Sequence, residues 1–241
     1  MSVHTALEGV LSVGWADEAS RNAVGSESAR RIVDRLALAE DPQVRVVVLA
    51  GEQSPFCSGW DLRDLAGLDV SDPDDVTRYF EAGRELLRAV EACPVPVVAA
   101  VSGVALGFGC SLLAHADLVV ADADAQFGLP EVRRGFAPAT VMPELLEAMD
   151  AREVRAWALT GARHDVHRAG AAGLVHRIAP SGTLPAVLTD IVEGLAEAEP
   201  AVLRTTKALL HEQRAMPLPQ RRARGVAAAV DHFCRPNGAT R

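Results

Sequence analysis

The sequence predicts an α/β fold in which helices cover both faces of a parallel sheet. β-Branched runs alternate along the chain with helical patterns, which is the order expected of such a fold. These runs are apolar at successive positions rather than at alternate ones, as strands are when both faces are buried. With 241 residues and 49% hydrophobic content, the chain can bury a full core as one large domain, with or without a helical appendage.

Five elements alternate through the first hundred residues. The run "VLSVGWA" (10–16) predicts a strand, and a helical pattern follows over about 26–39. A second strand, "VRVVVLAG" (44–51), is bounded by proline and glycine and precedes a helix over about 74–91. The run "VPVVAAVSG" (95–103) predicts a third buried strand. This order favours parallel strands joined by helical crossovers.

The second half of the chain has a different pattern. From about residue 138 onward it is nearly all helical, apart from a short predicted strand at "GLVHRI" (173–178), and it ends in "QRRARGVAAAVDHF" (220–233). The sequence contains no internal repeat, low-complexity tract or long linker. It therefore indicates one core with helices packed behind it.

Charge and composition argue against nucleic acid as a partner. The formal net charge is −8 and aromatic residues make up only 4% of the chain. Such a composition supplies neither a basic surface for phosphate backbones nor a platform for stacked bases. Only Lys207 of the 24 basic residues is a lysine, so a pyridoxal Schiff base would have a single candidate.

The cysteines and the longest uncharged stretch indicate where in the cell the protein resides. The four cysteines are scattered singly, with no CxxC pair and no secretory segment ahead of them, which predicts a reducing cytoplasm. Residues 92–116 carry no formal charge with histidine neutral and exceed the length of a membrane span. Prolines, glycines and serines interrupt this stretch, and no basic cluster flanks it. We therefore expect no membrane partner.

The stretch "ALGFGCSLLAHADLV" (105–119) resembles a phosphate-binding loop without being one. A dinucleotide loop would need a third glycine where Leu112 stands, and a P-loop would need Gly-Lys-Ser/Thr where Gly109 is followed by Cys110 and Ser111. A helix that starts here would instead expose free backbone N–H groups. A second small-residue turn, "FCSGWDL", follows an earlier strand. Either the two turns aim two amides at one oxygen, or both are tight connections that need glycine.

Three segments together resemble the enoyl-CoA hydratase/isomerase, or crotonase, family. They are "FCSGWDLRDL", "AAVSGVALGFGCSLLAHADLVVADADAQFGLPEVRRGF" and "LTG....A...GLV", in the family's order and spacing, and the resemblance runs from near Arg21 to near Lys207. It implies a spiral of ββα units over 1–180 and a C-terminal helical region over 181–241 that assembles chains into trimers or hexamers. It also implies an acyl-CoA thioester as substrate, with no further cofactor and no metal.

By this resemblance, the backbone N–H groups of Trp60 and Phe108 hold the thioester oxygen. Each follows a glycine, Gly59 in the first turn and Gly107 in the second. The family usually has glycine or alanine where Phe108 stands. We therefore expect this side chain to point away from the thioester or to narrow the acyl pocket.

The resemblance assigns one catalytic acid where hydratases have two. Ser111 stands at the first acidic position and Glu131, in "FGLPEV", at the second. Packing at the helix start is the simpler role for Ser111, and a solvated pair with Arg134 is the alternative for Glu131. An acid held among apolar neighbours would have a raised pKa and could act as a proton shuttle. A single carboxylate suffices for an isomerase, so isomerase is the leading interpretation. Hydratase and non-catalytic acyl-CoA binding are the alternatives.

Further positions are assigned to contacts with the substrate or coenzyme A. Besides Gly59 and Gly107, the positions assigned to substrate or coenzyme A are Arg21, Asp61 and Arg63, although each arginine could equally be a plain surface residue. Family members usually continue past the equivalent of this chain's end with a basic helix.

The sequence does not favour two other kinds of site. The "HDVH" stretch, from His164 to His167, has metal-ligand spacing but no evident third ligand. Ser102 precedes a glycine, yet no GxSxG motif occurs to support a serine hydrolase.

Overall fold

The computed structural model describes residues 7–52 and 55–234, which form two sheets. In chain order the strands are β1 (Val10–Trp15), β2 (Val46–Gly51), β3 (Val97–Val101), β4 (Val104–Leu106), β5 (Leu118–Asp122), β6 (Gln126–Gly128), β7 (Arg163–Asp165) and β8 (Arg177–Ala179). The larger sheet has the order β1-β2-β3-β5-β8, and all its neighbours are parallel. The smaller sheet has the order β4-β6-β7.

Ten helices surround these sheets in the described part of the chain. They are α1 (Ser26–Leu36), α2 (Leu62–Ala66), α3 (Pro73–Glu91), α4 (Phe108–His115), α5 (Met142–Ala148), α6 (Ala151–Thr160), α7 (Val166–Ala171), α8 (Leu184–Ala196), α9 (Pro200–Arg214) and α10 (Leu218–Phe233). Short 3-10 turns cover Ala37–Glu40 and Pro130–Arg134. Among the described helices, none combines the length and the apolar character that a membrane crossing needs.

The central strands are apolar at every position because both faces of the sheet are covered. Every residue of β2 and β3 is buried. Along β2, Val47 and Leu49 belong to the core on the side of α1 and α3, whereas Val46 and Val48 belong to a second core completed by α8. The α/β class with a parallel sheet is thus confirmed, and the successive apolar pattern has the cause that the sequence indicated.

The smaller sheet was not predicted. Its strands have three residues each, too short for any periodicity to identify them. β4 lies inside the glycine-rich segment that the sequence presented as a plain connection from strand to helix, and it pairs in parallel with β6. The predicted strand over 173–178 is also shorter and later than expected, since β8 begins at Arg177.

The C-terminal helices are attached to the core by buried polar contacts. Lys207 of α9 is buried, and its Nζ donates to the Val95 carbonyl at 3.1 Å and to Asp117 Oδ2 at 2.6 Å. Asp117 Oδ2 also accepts from the Val97 N–H at 2.7 Å, at the start of β3. The single lysine therefore fastens α9 to the amino-terminal ends of β3 and β5 in the middle of the larger sheet. The proposed boundary at residue 180 stays a prediction, with α8 packed against the sheet rather than beyond it.

We expect Lys207→Met to lower the free energy of unfolding by about 1–3 kcal/mol. The substitution leaves Asp117 with only its backbone donor and the Val95 carbonyl without its partner. Denaturant unfolding measures the loss, and the exposed Arg222→Met on α10 is the matched control. Equal stability of the Lys207 variant and the control would contradict the anchoring role.

Candidate active site

The two small-residue turns singled out in the sequence lie side by side. The Cys57 N–H donates to the Val104 carbonyl at 3.0 Å, and the Leu106 N–H donates to the Cys57 carbonyl at 3.0 Å. These bonds pair the first turn with β4, the strand that leads directly into the second turn. Backbone hydrogen bonding therefore places the segments before Trp60 and Phe108 in contact.

The first turn presents the Trp60 amide. Val24 pairs with both neighbours of Trp60: its N–H donates to the Gly59 carbonyl at 2.8 Å, and its carbonyl accepts from Asp61 at 2.9 Å. Trp60 itself donates no backbone hydrogen bond within residues 7–52 and 55–234. Gly59 has φ +108°, and a Cβ there would lie 3.2 Å from the Leu106 carbonyl oxygen. Glycine is thus needed both for the turn and for the close approach of β4.

The second turn presents the Phe108 amide at the start of α4. Gly107, with φ 51° and ψ −117°, is the N-cap and provides no side chain to cover the first helical N–H groups. In the described structure the Phe108 N–H also lacks an acceptor. Each turn therefore has one unpaired N–H that can donate to an oxygen atom of a ligand. The positive end of the α4 dipole lies at the Phe108 N–H.

Glu131 lies against this second turn. A Cβ on Gly107 would be 2.5 Å from Glu131 Oε1, so the carboxyl group occupies the space that the glycine leaves open. Glu131 is only 5% exposed, and its Oε2 has no hydrogen-bond partner among the described residues. Burial raises the pKa of Glu131, opposed by a backbone hydrogen bond and more weakly by the charge of Arg134. No ion pair between Glu131 and Arg134 forms in the described chain, unlike the solvated pair that the sequence left open.

A cavity of about 460 Å³ opens in front of Glu131. Its walls come from the end of the first turn, α2, α3 and the segment after Glu131. The lining residues are Trp60, Leu62, Leu65, Ala66, Phe80, Glu131, Phe136, Ala137, Pro138, Ala139 and Thr140. Glu131 is the one titratable side chain in this lining. The cavity has the size and the apolar character of a site for a small organic ligand.

The side chain of Phe108 points away from this cavity. It is 1% exposed and is absent from the lining, and its ring lies 4.2 Å from the Trp60 ring, centroid to centroid. Of the two outcomes that the sequence allowed, the structure has the first. The Phe108 ring packs against the Trp60 indole and does not narrow the cavity.

Ser111 is buried one turn into α4. It is fully inaccessible to solvent, and its Oγ has no hydrogen-bond partner among the described residues. It forms no cap at the helix start, where Gly107 is the N-cap. At this position the chain therefore offers a neutral hydroxyl where a second acid would be needed for two-carboxylate chemistry.

The basic residues assigned to coenzyme A are not in the Glu131 cavity. Arg63 forms ion pairs with Asp17 at 2.8 Å and with Asp61 at 2.7 Å, and its hydrogen bond lowers the pKa of Asp17 to about 2. Asp61 also caps α2 by accepting from the Arg63 N–H. These three residues line a separate cavity of about 510 Å³. Arg21 is exposed, with φ 57°. The structure thus brings Gly59, Trp60, Gly107, Phe108 and Glu131 together, without Arg21 or Arg63.

Sequence reasoning missed the aromatic cluster around Trp60. Tyr79, Phe80 and Phe108 all pack against the indole, and Gly83 of α3 leaves room for it, since a Cβ at Gly83 would overlap the Trp60 ring. A glycine inside an otherwise regular helical pattern was the available signal.

The "HDVH" stretch has a structural role in the described chain. His164 lies in β7 and stacks on Trp157 with ring centroids 4.6 Å apart, and burial lowers its pKa. Asp165 caps α7. Among the described residues, no group of three His, Cys, Asp or Glu side chains could hold a metal ion.

Comparison with known proteins gives a consistent result. The family model for enoyl-CoA hydratase/isomerase matches residues 5–233. A Thermus thermophilus protein named as an enoyl-CoA hydratase is 36% identical over 195 residues, covering 80% of this chain and 77% of its own. The 2,3-dehydroadipyl-CoA hydratase of Escherichia coli is 31% identical, covering 83% and 77%. The crystal structure of a Silicibacter pomeroyi enoyl-CoA hydratase/isomerase family protein superimposes with a TM-score of 0.87 at 32% identity, covering 95% and 97%.

We expect Glu131→Gln to stabilise the fold at neutral pH, with a gain that shrinks as the pH falls. Because burial raises the folded-state pKa of Glu131, the stability that its protonated form contributes is present below the unfolded pKa, near 4.5. That stability is lost as the pH rises through the folded-state pKa, whereas glutamine stays neutral. Chemical unfolding of both proteins between pH 4.5 and pH 8 measures the difference. The exposed Glu85→Gln is the control, and a gain that grows on acidification would contradict the assignment.

Proposed function

The chain belongs to the enoyl-CoA hydratase/isomerase family, and from this premise we propose that it isomerises an enoyl-CoA thioester with Glu131 as its single proton carrier. The observation that carries the proposal is the composition of the cavity. Glu131 is its one titratable side chain, and Ser111, where a second acid would stand, is a buried neutral hydroxyl. One carboxyl group can move a proton between two carbons, but it lacks the partner with which a two-acid site orients water.

The proposed mechanism uses three groups of this chain. The thioester oxygen accepts hydrogen bonds from the Trp60 and Phe108 N–H groups, both of which are free of protein partners in the described structure. Glu131 removes a proton from C2 of a 3-enoyl thioester, and the negative charge that forms moves onto the thioester oxygen. The same carboxyl group then returns the proton at C4, which shifts the double bond from C3–C4 to C2–C3. The raised pKa of Glu131 suits a group that must both accept and release this proton.

Hydration of a 2-enoyl thioester is the second candidate. The specific observation that favours it is the naming of relatives, since the proteins from Thermus thermophilus and Escherichia coli both carry hydratase names. In that reaction Glu131 would activate water alone, or with a group supplied from outside the described residues. The two reactions differ in whether an oxygen atom from water enters the product.

We also propose assembly into a trimer or hexamer and residence in the cytoplasm. Helix α10 has no buried residue within this chain and exposes four large apolar side chains, Leu218, Val226, Val230 and Phe233. At 100° per residue these four lie on one side of the helix. An exposed apolar stripe of this kind supports the proposal that α10 is buried against another copy of the chain.

The free cysteines Cys57, Cys93, Cys110 and Cys234 support the proposed location, because unpaired cysteines are compatible with a reducing compartment.

We expect Glu131→Gln to reduce turnover of a 3-enoyl-CoA by about 10²- to 10⁴-fold while leaving the thioester dissociation constant nearly unchanged. The substitution removes the base and preserves the size and shape of the side chain. Ser111→Ala should retain turnover, because it deletes only a hydroxyl that has no partner in the described structure. Steady-state kinetics and calorimetric titration of both variants provide the measurements.

Isotope incorporation separates the two candidate reactions. In heavy-oxygen water, an isomerase yields a 2-enoyl product without the label, whereas a hydratase places the label on a 3-hydroxyl group. Rapid incorporation by the wild type, or a Ser111→Ala variant as inactive as Glu131→Gln, would refute the single-carboxylate isomerase and support hydration.

We expect light scattering to give a mass of three or six chains at micromolar concentration. The double variant Val226→Asp, Val230→Asp should shift this mass toward the monomer, since charges on the exposed stripe of α10 oppose its burial. Asp231→Asn, on the opposite side of the helix, is the matched control. A wild-type monomer would exclude the assembly.

A further inference from the structure

The lining of the Glu131 cavity restricts the charge of a ligand. Three of its residues, Trp60, Phe80 and Phe136, are aromatic, most others are aliphatic, and Thr140 has the only hydroxyl. Glu131 is the sole ionisable member, and when ionised it is negative. A carboxylate on the acyl group of a ligand would therefore lose its hydration and meet a charge of its own sign, with no cation in the lining to pair with it.

Arg63 and Arg134 do not supply the missing positive charge. Arg63 follows Leu62 in α2, but its guanidinium is engaged by Asp17 and Asp61 and lines the other cavity. Arg134 is exposed and is not part of the lining, and its charge reaches Glu131 only as a minor influence. A ligand carboxylate could contact either arginine only outside the cavity. An ammonium group would find one partner, Glu131, at the expense of the free carboxylate that proton transfer needs.

The Trp60 indole forms a wall of this cavity and is fixed from behind. The Phe108 ring lies 4.2 Å from it, and Phe80 meets it at a right angle with centroids 5.3 Å apart. On α3, Gly83 leaves the space that the indole fills, because a Cβ there would overlap the far edge of the ring. Close packing from three directions leaves Trp60 one position. The residue that supplies one oxyanion amide thus also limits the cavity.

We infer that the cavity accepts acyl groups that are apolar and uncharged along their length, and that Trp60, positioned by Phe108 and Gly83, determines how deeply they reach. This inference rests on the proposed binding of an acyl-CoA thioester, but it does not depend on whether the bound thioester is isomerised or hydrated. Phe108 and Gly83 act through Trp60 and are positioning residues for specificity.

Substitutions at Phe108 and at Gly83, which both pack against the Trp60 indole, should alter the acyl-chain-length preference of the cavity in opposite directions. Phe108→Ala removes the ring that backs the indole, which allows the indole to move away from the cavity. The ratio of dodecanoyl-CoA to hexanoyl-CoA affinity should then rise. Gly83→Ala places a methyl group where the indole lies and displaces it toward the cavity. The ratio of hexanoyl-CoA to acetyl-CoA affinity should then fall. Gly225→Ala, where a Cβ meets nothing within 4 Å, is the control.

The deciding experiment is calorimetric titration of the full chain with hexanoyl-CoA and adipoyl-CoA, whose six-carbon acyl groups differ in that adipoyl-CoA ends in a carboxylate and hexanoyl-CoA in a methyl group. We expect hexanoyl-CoA to bind about tenfold more tightly or better. Equal or tighter binding of adipoyl-CoA would overturn the inference and leave the proposed function intact, whereas binding of neither thioester would contradict the proposed function and the inference together. Should Gly83→Ala fail to fold, Phe108→Leu provides a second test of whether the acyl-chain-length preference depends on the packing behind Trp60. Unchanged chain-length ratios in Phe108→Ala and Phe108→Leu would exclude the positioning role.

Discussion

The candidate site depends on one short piece of backbone pairing, the two hydrogen bonds that join Cys57 to β4. Their donor–acceptor distances of 3.0 Å place the end of one strand-turn unit against the beginning of another. The start of α4 approaches so closely that a Cβ on Gly109 would lie 2.9 Å from the Cys57 carbonyl oxygen. Burial raises the pKa of the Cys57 and Cys110 thiols to about 12, so both are inert packing groups behind the turns. Small residues here serve the close approach of two backbones.

This arrangement leaves polar groups unpaired where a folded protein usually satisfies them. The Trp60 and Phe108 N–H groups and Glu131 Oε2 all lack partners in the described structure, although each adjoins the buried core. Unsatisfied groups of this kind destabilise a fold, and they concentrate where a ligand completes the hydrogen bonding. The proposed enolate chemistry depends on this combination of a carboxyl group with a raised pKa and two free backbone donors.

The aromatic residues connect this polar centre with the cavity in front of it. The chain has ten aromatic residues, and four of them, Trp60, Tyr79, Phe80 and Phe108, form one cluster. The Tyr79 hydroxyl donates to the Asp61 carbonyl at 3.1 Å, which ties the cluster to the backbone of the first turn. The position of the Trp60 amide and the shape of the cavity are therefore set by the same packing. A change in either one affects the other because the interior is close-packed.

The sequence by itself determined the parts of the structure that are encoded locally. Uninterrupted apolar runs predicted β2 and β3, and the glycines before Trp60 and Phe108 marked two tight turns. Glu131 was assigned only by the resemblance of its "FGLPEV" motif to the family. These features depend on periodicity and backbone freedom within a few residues. The three-residue strands of the second sheet carry no such period.

Tertiary structure alone decided which distant groups meet. Arg63 pairs with Asp17, 46 residues away, a contact that nothing in the sequence around Arg63 indicated, and its assignment to coenzyme A stays a prediction. Gly83 accommodates Trp60 only because α3 crosses behind the first turn, and Lys207 reaches Asp117 across 90 residues. Such contacts arise from the packing of complete elements, whose relative positions no local pattern specifies. Backbone preferences therefore fixed the turns, and long-range packing fixed what each turn faces.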